Sequence, residues 1–590
     1  MSTTGSGGGA HGGARGGDML AALSVLALLI PQAMAYAMLA GLPPAAGLFC
    51  AAAAPLGYAL RGSSPYLAVG PVAIICLLVA SGLQPLAEPG SARYGELAIV
   101  LTMMVASIYL ALALARAGFI ANFLGHPAII GFNAAGALVT AASQLKPLCG
   151  FPKDVARDAT ASNPWPALLH LGHASLLTLA FGLATIAVLV VMPRLQRRVP
   201  AGLLACVAAG LTAWALDLPS RGLPVVGSVP RSLPSFAWPS PGLAELRALL
   251  PTALSVAIVG YGSSVAIAKA LAVKQRQRID PNRELWGLAL SNAAAALVGP
   301  LPASGSLART VVNMQSGART RVAGVLAGVG VMVAVFAIGP SFAVLPMAVL
   351  AGIVMHGALQ LVDLREARAI WRTHRSDAAT MVLTFVITLV VGLVEGLAAG
   401  LVVALVLFVV RTATPHTAEL GRIPGSMVYR NSQRFAVETC PQVGILRLDA
   451  PLYFANARFL EDRVHGMLAE RPDMVLIAID CSGIADVDAT AVQSLRNLTV
   501  SLRERGNDIH LIGPIGPVRD LLVRTGLCDL LGEGNLHRTI IEAAPTLMAR
   551  ISRDFCEMQC KVSAFPDCTL IPRAGAKSAD SEAARFSPQI

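Results

Sequence analysis

Two short stretches of broken apolar sequence decide the fold: LAVGPVA at residues 67–73 and LPASGSLAR at residues 301–309. Each interrupts a hydrophobic run with glycine, proline or serine, residues that disfavour an unbroken helix. The two stretches occupy matching positions in two halves of a region built from repeated apolar spans. Paired broken spans of this kind are the best sequence indication of a binding site inside a membrane transporter.

The composition of the whole chain is that of a membrane protein. Of its 590 residues, 55% are hydrophobic and 13% are charged, and the mean hydropathy is +0.65. A soluble domain of this size cannot bury so much apolar surface, whereas a lipid bilayer solvates it directly. The net charge of +11 does not indicate a nucleic-acid partner, because the basic residues punctuate the apolar spans and form no single face. The cysteines show no zinc-ligand spacing, and we predict neither a metal nor a cofactor.

Apolar runs of bilayer length recur about 14 times between Met19 and Val410. Basic residues cluster after the even-numbered runs. They are Arg61, Arg116, Arg194, Arg197, Arg198, Lys269, Lys274, Arg276, Arg278, Arg319, Arg321, Arg365, Arg368, Arg372, Arg375 and Arg411. Because loops rich in Lys and Arg stay in the cytoplasm, we predict a multi-pass protein of the inner (plasma) membrane with both termini cytoplasmic.

Five segments follow from changes in composition. We predict a disordered Gly-rich leader at 1–17, a transmembrane domain at 18–412 and a linker at 413–433. A small cytoplasmic domain at 434–548 and a flexible tail at 549–590 complete the chain. In the small domain, strand-like runs (444–448, 475–479 and 509–512) alternate with helix-like runs (457–470, 489–505 and 517–525), which predicts an α/β fold.

Several segments resemble the SulP sulfate permease family, the bacterial relatives of solute carrier family 26. They are IPQAMAYA at 30–37, AGLPP at 40–44, GLF at 47–49, SQLK at 143–146, PASGSLARTVVN at 302–313 and GART at 317–320. LGRIPG at 420–425 looks like the linker that these proteins place before a C-terminal STAS domain, the module shared with anti-sigma factor antagonists. The resemblance runs in order from about residue 18 to 548.

The resemblance implies an α-helical polytopic fold of two inverted seven-span repeats, divided into a core and a gate domain. The third and tenth spans would each be a short strand followed by a half-helix, and the two would meet near the membrane midplane. A STAS domain would follow, and the resemblance is also compatible with a homodimer and a cytoplasmic protein partner of that domain.

The proposed anion site lies between the two half-helices. Their N-termini offer unpaired N–H groups and aligned dipoles, which we place around Val72 and around Ala308. Arg309 adds a full charge, and a buried arginine inside a membrane is a functional hypothesis by default. The alternative is that Arg309 snorkels to the surface or pairs with a carboxylate of the gate.

Other side chains complete this predicted site. Gln32 and Tyr36 lie four residues apart on one helix face, and the resemblance places both at the substrate pocket. Gln32 could instead bond only the backbone freed by Pro31. Ser304 and Ser306 flank Gly305 in the same motif. Their hydroxyls could donate to the anion or cap the half-helix.

One position departs from the family pattern. Members that couple transport to protons or sodium carry an acidic residue in the eighth span, where this chain has Ser263. A hydroxyl neither carries a proton at neutral pH nor binds sodium well alone. The departure favours exchange or uniport. Glu395, the nearest acidic alternative, is predicted to lie at the outer surface.

In the STAS-like segment, Thr490 falls near the place of the phosphorylated residue of such domains, although the neighbouring hydroxyl is replaced by Ala489. We predict first that Asp488 caps the helix that begins here. Phosphorylation of Thr490 as a regulatory switch is the second prediction.

We therefore expect a secondary transporter of small inorganic anions, sulfate or bicarbonate, working by alternating access. One alternative is a proton- or sodium-coupled symporter of anions or dicarboxylates. Another is a regulatory or scaffold protein that acts through its STAS domain and uses the membrane part as an anchor. No enzyme motif appears in a fitting context, so we predict no enzyme activity.

Overall fold

A computed structural model describes the backbone of residues 9–122, 125–151, 163–196, 200–227 and 239–571. The chain divides into two compact units, Met1–Leu405 and Val406–Ile590. Arg197 and Arg198 of the predicted basic loops lie outside the described residues. The first unit is helical, and the second combines a sheet with helices.

The first half of the membrane unit holds helices α1 to α8. They are α1 (Gly9–Leu39), α2 (Pro44–Arg61), α3 (Ala73–Leu83), α4 (Ala92–Leu114), α5 (His126–Ser143), α6 (Leu145–Cys149), α7 (Leu176–Leu195) and α8 (Ala201–Ala215). Local signals explain several starts: Ser91 accepts a hydrogen bond from the N–H of Tyr94 at 3.2 Å, and Pro44 occupies the first turn of α2. Both are typical of helix N-termini.

The second half holds α9 to α16. They are α9 (Leu243–Lys274), α10 (Pro281–Val298), α11 (Leu307–Gln315), α12 (Val322–Ile338), α13 (Met347–Leu359), α14 (Leu364–Thr373), α15 (Arg375–Val390) and α16 (Leu393–Ala413). Each predicted span coincides with one helix or with one strand–helix pair. The helix α14 was not predicted: its basic residues belong to a helix with one apolar side, in the segment that we expected to be a loop.

Among the described residues, eight helical segments are long and apolar enough to cross a membrane unaided. The half-helices fall below that length by their nature, because each shares its span with a strand. β1 (Val69–Gly70) and β2 (Ser304–Gly305) pair antiparallel, with Val69 opposite Gly305 and Gly70 opposite Ser304. This contact joins the two halves of the membrane unit at the two broken stretches of sequence.

The second unit is built on a sheet with the strand order β4-β3-β5-β6-β7-β8. Its strands are β3 (Thr417–Arg422), β4 (Tyr429–Asn431), β5 (Val443–Leu448), β6 (Leu476–Asp480), β7 (Asp508–Ile512) and β8 (Leu536–His537). Its helices are α17 (Ala457–Glu470), α18 (Ala489–Glu504), α19 (Gly516–Arg524), α20 (Leu527–Leu531), α21 (Ile540–Met548) and α22 (Arg553–Met558). β5 to β8 are parallel, and β3 is antiparallel to both neighbours. The α/β prediction is confirmed.

Three predicted boundaries differ from the structure. The helix α1 begins at Gly9, inside the predicted disordered leader. The linker at 413–433 supplies β3 and β4, so this segment is part of the sheet. The flexible tail is wrong for residues 549–571, because α22 and the turn after it cover the sheet and Phe565 is fully buried there. Ala564 and Cys568 are buried beside Phe565 and complete this anchor.

Candidate functional site

The two half-helices begin beside the paired strands β1 and β2. β1 leads through Pro71 and Val72 into α3, and β2 leads through Ser306 into α11. In α3 the first helical bond runs from the N–H of Cys76 to the carbonyl of Val72 at 3.0 Å. In α11 it runs from the N–H of Thr310 to the carbonyl of Ser306 at 2.9 Å. The N–H groups before these bonds have no partner in their own helix, so two positive helix ends lie side by side.

Residues at both helix starts are at least partly exposed. Val72 is partly exposed, and Ala308 in the first turn of α11 is exposed. Gly70 lies against the guanidinium of Arg309, where a Cβ atom would stand 3.4 Å from Nη2. The absence of a side chain at Gly70 therefore leaves room for the arginine beside the strand pair.

Arg309 is a buried cation, with 1% of its surface exposed. Its Nη1 donates to Oε1 of Gln32 at 3.1 Å and its Nη2 to the carbonyl of Pro71 at 2.9 Å. Its Nε has no partner among the described residues. The titratable side chains that act on it are Tyr36, Cys50 and Cys76.

None of these neighbours is charged at neutral pH, and no carboxylate in the described part of the chain is among them. Arg309 neither snorkels to the surface nor pairs with a gate carboxylate. An uncompensated buried charge is costly, and a bound anion would offset that cost.

Gln32 and Tyr36 lie one turn apart on α1, which packs against both half-helices. Because Oε1 of Gln32 accepts from Arg309, the amide nitrogen of Gln32 remains a donor for a ligand. The alternative, that Gln32 bonds only the backbone freed by Pro31, does not explain the hydrogen bond between Gln32 Oε1 and Arg309. The hydroxyl of Tyr36 points toward α13, since a Cβ atom on Gly357 would lie 3.7 Å from it.

The serines near β2 divide between structural and ligand-accessible positions. Ser304 Oγ donates to the carbonyl of Gly260 at 3.0 Å and lies 3.1 Å from Ser264 Oγ. Ser264 Oγ in turn accepts from the N–H of Gly305 at 2.9 Å. These bonds fasten β2 to α9. Ser306 is partly exposed and its side chain makes no capping bond, so the capping alternative is wrong for Ser306 and its hydroxyl can donate to an anion.

Ser263 lies on the side of α9 that meets β2. Its hydroxyl donates to the carbonyl of Val259 at 2.7 Å and lies 3.5 Å from Ser304 Oγ. The position that is acidic in coupled members of the resembled family thus borders the strand pair and holds a hydroxyl in this chain. Glu395 is exposed in the first turn of α16, and its place at the outer surface stays a prediction.

Sequence reasoning missed Asn292, which holds β2 in place from α10. Its Oδ1 accepts from the N–H of Ala303 at 2.9 Å, and its Nδ2 donates to the carbonyl of Ala303 at 3.0 Å. Asn292 is fully buried. A single asparagine inside an apolar run was the available signal, because an unpaired amide is costly there.

Two polar side chains of α11 tie this helix to the segment before β1. Thr310 Oγ1 accepts from the N–H of Ala68 at 3.0 Å, and Asn313 Nδ2 donates to the carbonyl of Tyr66 at 2.9 Å. The half-helix of one repeat is therefore held by the backbone of the other. The sequence shows these polar residues but not their partners.

Glu284 is a buried carboxylate near the start of α10 that was also missed. It accepts hydrogen bonds from the hydroxyl of Tyr58 at 2.8 Å, from Ser63 Oγ at 2.5 Å and from the N–H of Ser64 at 2.8 Å. So many donors commit the carboxylate to the turn that leads to β1. We therefore interpret Glu284 as a positioning residue.

In the second unit, Asp488 caps α18, because its Oδ1 accepts from the N–H of Ala491 at 2.8 Å. Thr490 is exposed in the first turn of the same helix. The capping prediction is confirmed, and a regulatory role for Thr490 stays a prediction.

Half-helices that follow short strands and meet inside a helical bundle are typical of polytopic membrane transporters. Comparison with known proteins gives the family. A model of the sulfate permease family matches residues 16–384, and a STAS domain model matches residues 434–543. This chain belongs to the sulfate permease family of membrane anion transporters, and it is not an enzyme.

Related proteins cover most of the chain. The probable sulfate transporter 4.2 of Arabidopsis thaliana is 33% identical, and the match covers 88% of this chain and 78% of that protein. A probable sulfate transporter of Mycobacterium tuberculosis is 34% identical over 90% of this chain and 95% of its own. Solved structures share the fold: murine Solute Carrier 26 family member A9 has a TM-score of 0.81 at 23% identity, covering 90% of this chain and 91% of that one. The transmembrane domain of the cyanobacterium bicarbonate transporter BicA has a TM-score of 0.58 at 23% identity. The match covers 65% of this chain and 97% of that one.

Proposed function

We propose that this protein carries sulfate across the membrane by alternating access, with the anion held between the first turns of α3 and α11. The single observation that supports the site is Arg309, buried beside two helix N-termini without a carboxylate partner among the described residues. In this proposal Gln32 Nε2 and Ser306 Oγ donate to the anion, and Tyr36 closes the site toward α13.

Charge favours a doubly charged anion. Each helix N-terminus acts as about half a positive charge, and Arg309 contributes one more. Together these amount to about two charges, which match sulfate better than bicarbonate or chloride. The curated relatives named above are sulfate transporters by name, and bicarbonate remains the second candidate through the more distant BicA.

A cavity of about 210 Å³ lies beside the last turns of α1. Its lining includes residues of α1, α5, α6 and α13, among them Ala35, Gln144 and Lys146. A lysine in the wall favours an anion in this cavity. Gln32, Tyr36 and Arg309 do not line it, so it is a neighbouring cavity and not the proposed site itself.

The transport mode in this proposal is exchange or uniport. Ser263 cannot carry a proton, and Glu284 is committed to five donor contacts around Tyr58, Ser63 and Ser64. A proton- or sodium-coupled symporter remains the alternative. We also propose a homodimer, a plasma-membrane location with both termini cytoplasmic, and a protein partner for the STAS domain.

Reconstituted proteoliposomes test the proposal. Radiolabelled sulfate uptake should be faster into vesicles preloaded with sulfate than into empty ones, and it should not respond to imposed proton or sodium gradients at constant voltage. Accumulation driven by either gradient would overturn exchange and uniport. Uptake of bicarbonate without any sulfate uptake would overturn the substrate assignment.

A further inference from the structure

A basic pocket of about 650 Å³ lies at the ends of α2, α4 and α10. Arg61 ends α2, Arg116 follows α4, and Arg283 lies in the first turn of α10. All three are exposed. The helix α10 packs against both α2 and α4, so the pocket lies where three helices meet on the predicted cytoplasmic side.

The three guanidinium groups are not committed to carboxylates. In the described part of the chain, the ion pairs include none that involves Arg61, Arg116 or Arg283. Asp280 lines the same pocket, but its Oδ1 caps α10 by accepting from the N–H groups of residues 282 and 283 at 2.9 and 3.3 Å. The pocket therefore keeps a net positive charge.

An aromatic ring forms part of the wall. The guanidinium carbon of Arg61 lies 4.7 Å from the ring centroid of Trp286, which orients this cation over the indole. Tryptophan is typical of the boundary between lipid and water. Arg61 is thus held at the pocket by a contact that leaves its N–H groups free for a ligand.

Two leucines extend the pocket with apolar surface. Leu60 is 71% exposed and Leu114 is 66% exposed, and both line the pocket. A small soluble anion has no use for such a surface. A phospholipid can bind such a surface, because its acyl chains cover apolar side chains while its phosphate stays at the level of the arginines.

We propose that this pocket binds the phosphodiester headgroup of an anionic phospholipid, with the acyl chains lying over Leu60 and Leu114. Guanidinium groups bind phosphate oxygens through paired hydrogen bonds, and basic pockets between membrane helices bind lipid headgroups on the cytoplasmic side. The lipid would hold together the ends of α2, α4 and α10. The helix α10 also carries Glu284, which binds the turn before β1, and Asn292, which binds Ala303 before β2. By holding α10, the lipid would support both of these segments from a distance.

Lipid-specific stabilisation of the purified full chain tests the proposal. The chain is stripped of lipid in detergent, and its melting temperature is measured with phosphatidylglycerol, with phosphatidylcholine of the same acyl chains, and with sn-glycerol 3-phosphate. We expect phosphatidylglycerol to raise the melting temperature by several degrees more than phosphatidylcholine, and glycerol phosphate to have no effect. Arg61→Gln/Arg283→Gln should lose at least half of that difference.

Controls and contrary outcomes are distinct. Arg194→Gln removes an exposed arginine at the end of α7, on the same predicted side, and should keep the full difference. The single variant Arg283→Gln leaves the Arg61–Trp286 contact intact and serves if the double variant does not fold. Equal stabilisation by the two lipids, or an unchanged difference in both pocket variants, would overturn the proposal. Full stabilisation by glycerol phosphate would overturn the assignment of a lipid to this pocket and would indicate a site for a small soluble anion.

Discussion

Replacing Asn292 with leucine removes the side chain that holds Ala303, and with it β2, to α10. The two residues have similar volumes, so the change deletes hydrogen bonds with little change in packing. The N–H and the carbonyl of Ala303 both lose their partner on Asn292. Both groups belong to a residue that is buried in the membrane unit, with 2% of its surface exposed.

The expected magnitude follows from these two groups. A buried polar group left without a partner costs about 1–3 kcal/mol, so Asn292→Leu should destabilise the chain by about 2–6 kcal/mol. If β2 relaxes, the N-terminus of α11 moves away from its place beside α3. We expect the KM for sulfate to rise by at least ~10-fold, equivalent to about 1.4 kcal/mol.

Melting temperature and uptake kinetics measure the two effects. Ser291→Ala is the matched control: it removes a buried hydrogen bond of the same helix, from Ser291 Oγ to the carbonyl of Ala54 at 2.9 Å, but does not touch β2. The control should lose some stability and keep its KM. A wild-type KM in folded Asn292→Leu would refute the positioning role, and so would an equal KM change in both variants.

Three further predictions concern other parts of the chain. Ser306→Ala should raise the KM for sulfate by about tenfold through the loss of one hydrogen bond to a charged group, with no change in melting temperature; an unchanged KM would remove Ser306 from the site. Phe565→Ala should destabilise the second unit by about 3–5 kcal/mol, measured by hydrogen exchange of β5 in the full chain; unchanged exchange would contradict the folded tail. Burial lowers the pKa of His510 from 6.5 to about 4, so the unfolded chain binds this proton first and the unit should lose stability as the pH falls from about 6.5 to about 4. His510→Asn should flatten the hydrogen-exchange stability profile in that window, and an equally steep profile would contradict the prediction.

The sequence carries enough information for the elements that depend on local patterns. The predicted strand at 444–448 is Val443–Leu448 in the structure, and the predicted helix at 457–470 is Ala457–Glu470. The family resemblance implied the strand and half-helix pairs, and the glycine, proline and serine of the two broken stretches supported them by marking the interruption directly. The family resemblance placed Gln32 at the substrate pocket and the cost of a buried charge placed Arg309 there, and the structure brings the two side chains into hydrogen-bond contact.

Features that depend on distant partners could not be predicted in the same way. Asn292, Thr310 and Glu284 are polar residues that have hydrogen-bond partners outside their own helix, and the sequence does not show which groups they bind. β4 lies at the edge of the sheet and has only three residues, and the six residues of β3 (TAELGR) include types that are depleted in strands, so both segments resemble a linker. Phe565 is the largest buried side chain of a segment whose few apolar residues have irregular spacing, so no periodicity indicates that the segment is folded.

Radiolabelled sulfate uptake by Arg309→Ala and Gln32→Ala in proteoliposomes tests whether the anion binds between α3 and α11. Arg309→Ala should abolish uptake, because the full charge between the two helix ends is lost. Gln32→Ala should lower uptake strongly while the chain remains folded, since it removes one donor and the acceptor of the Arg309 Nη1 bond. Unchanged uptake in both variants would contradict an anion site between α3 and α11.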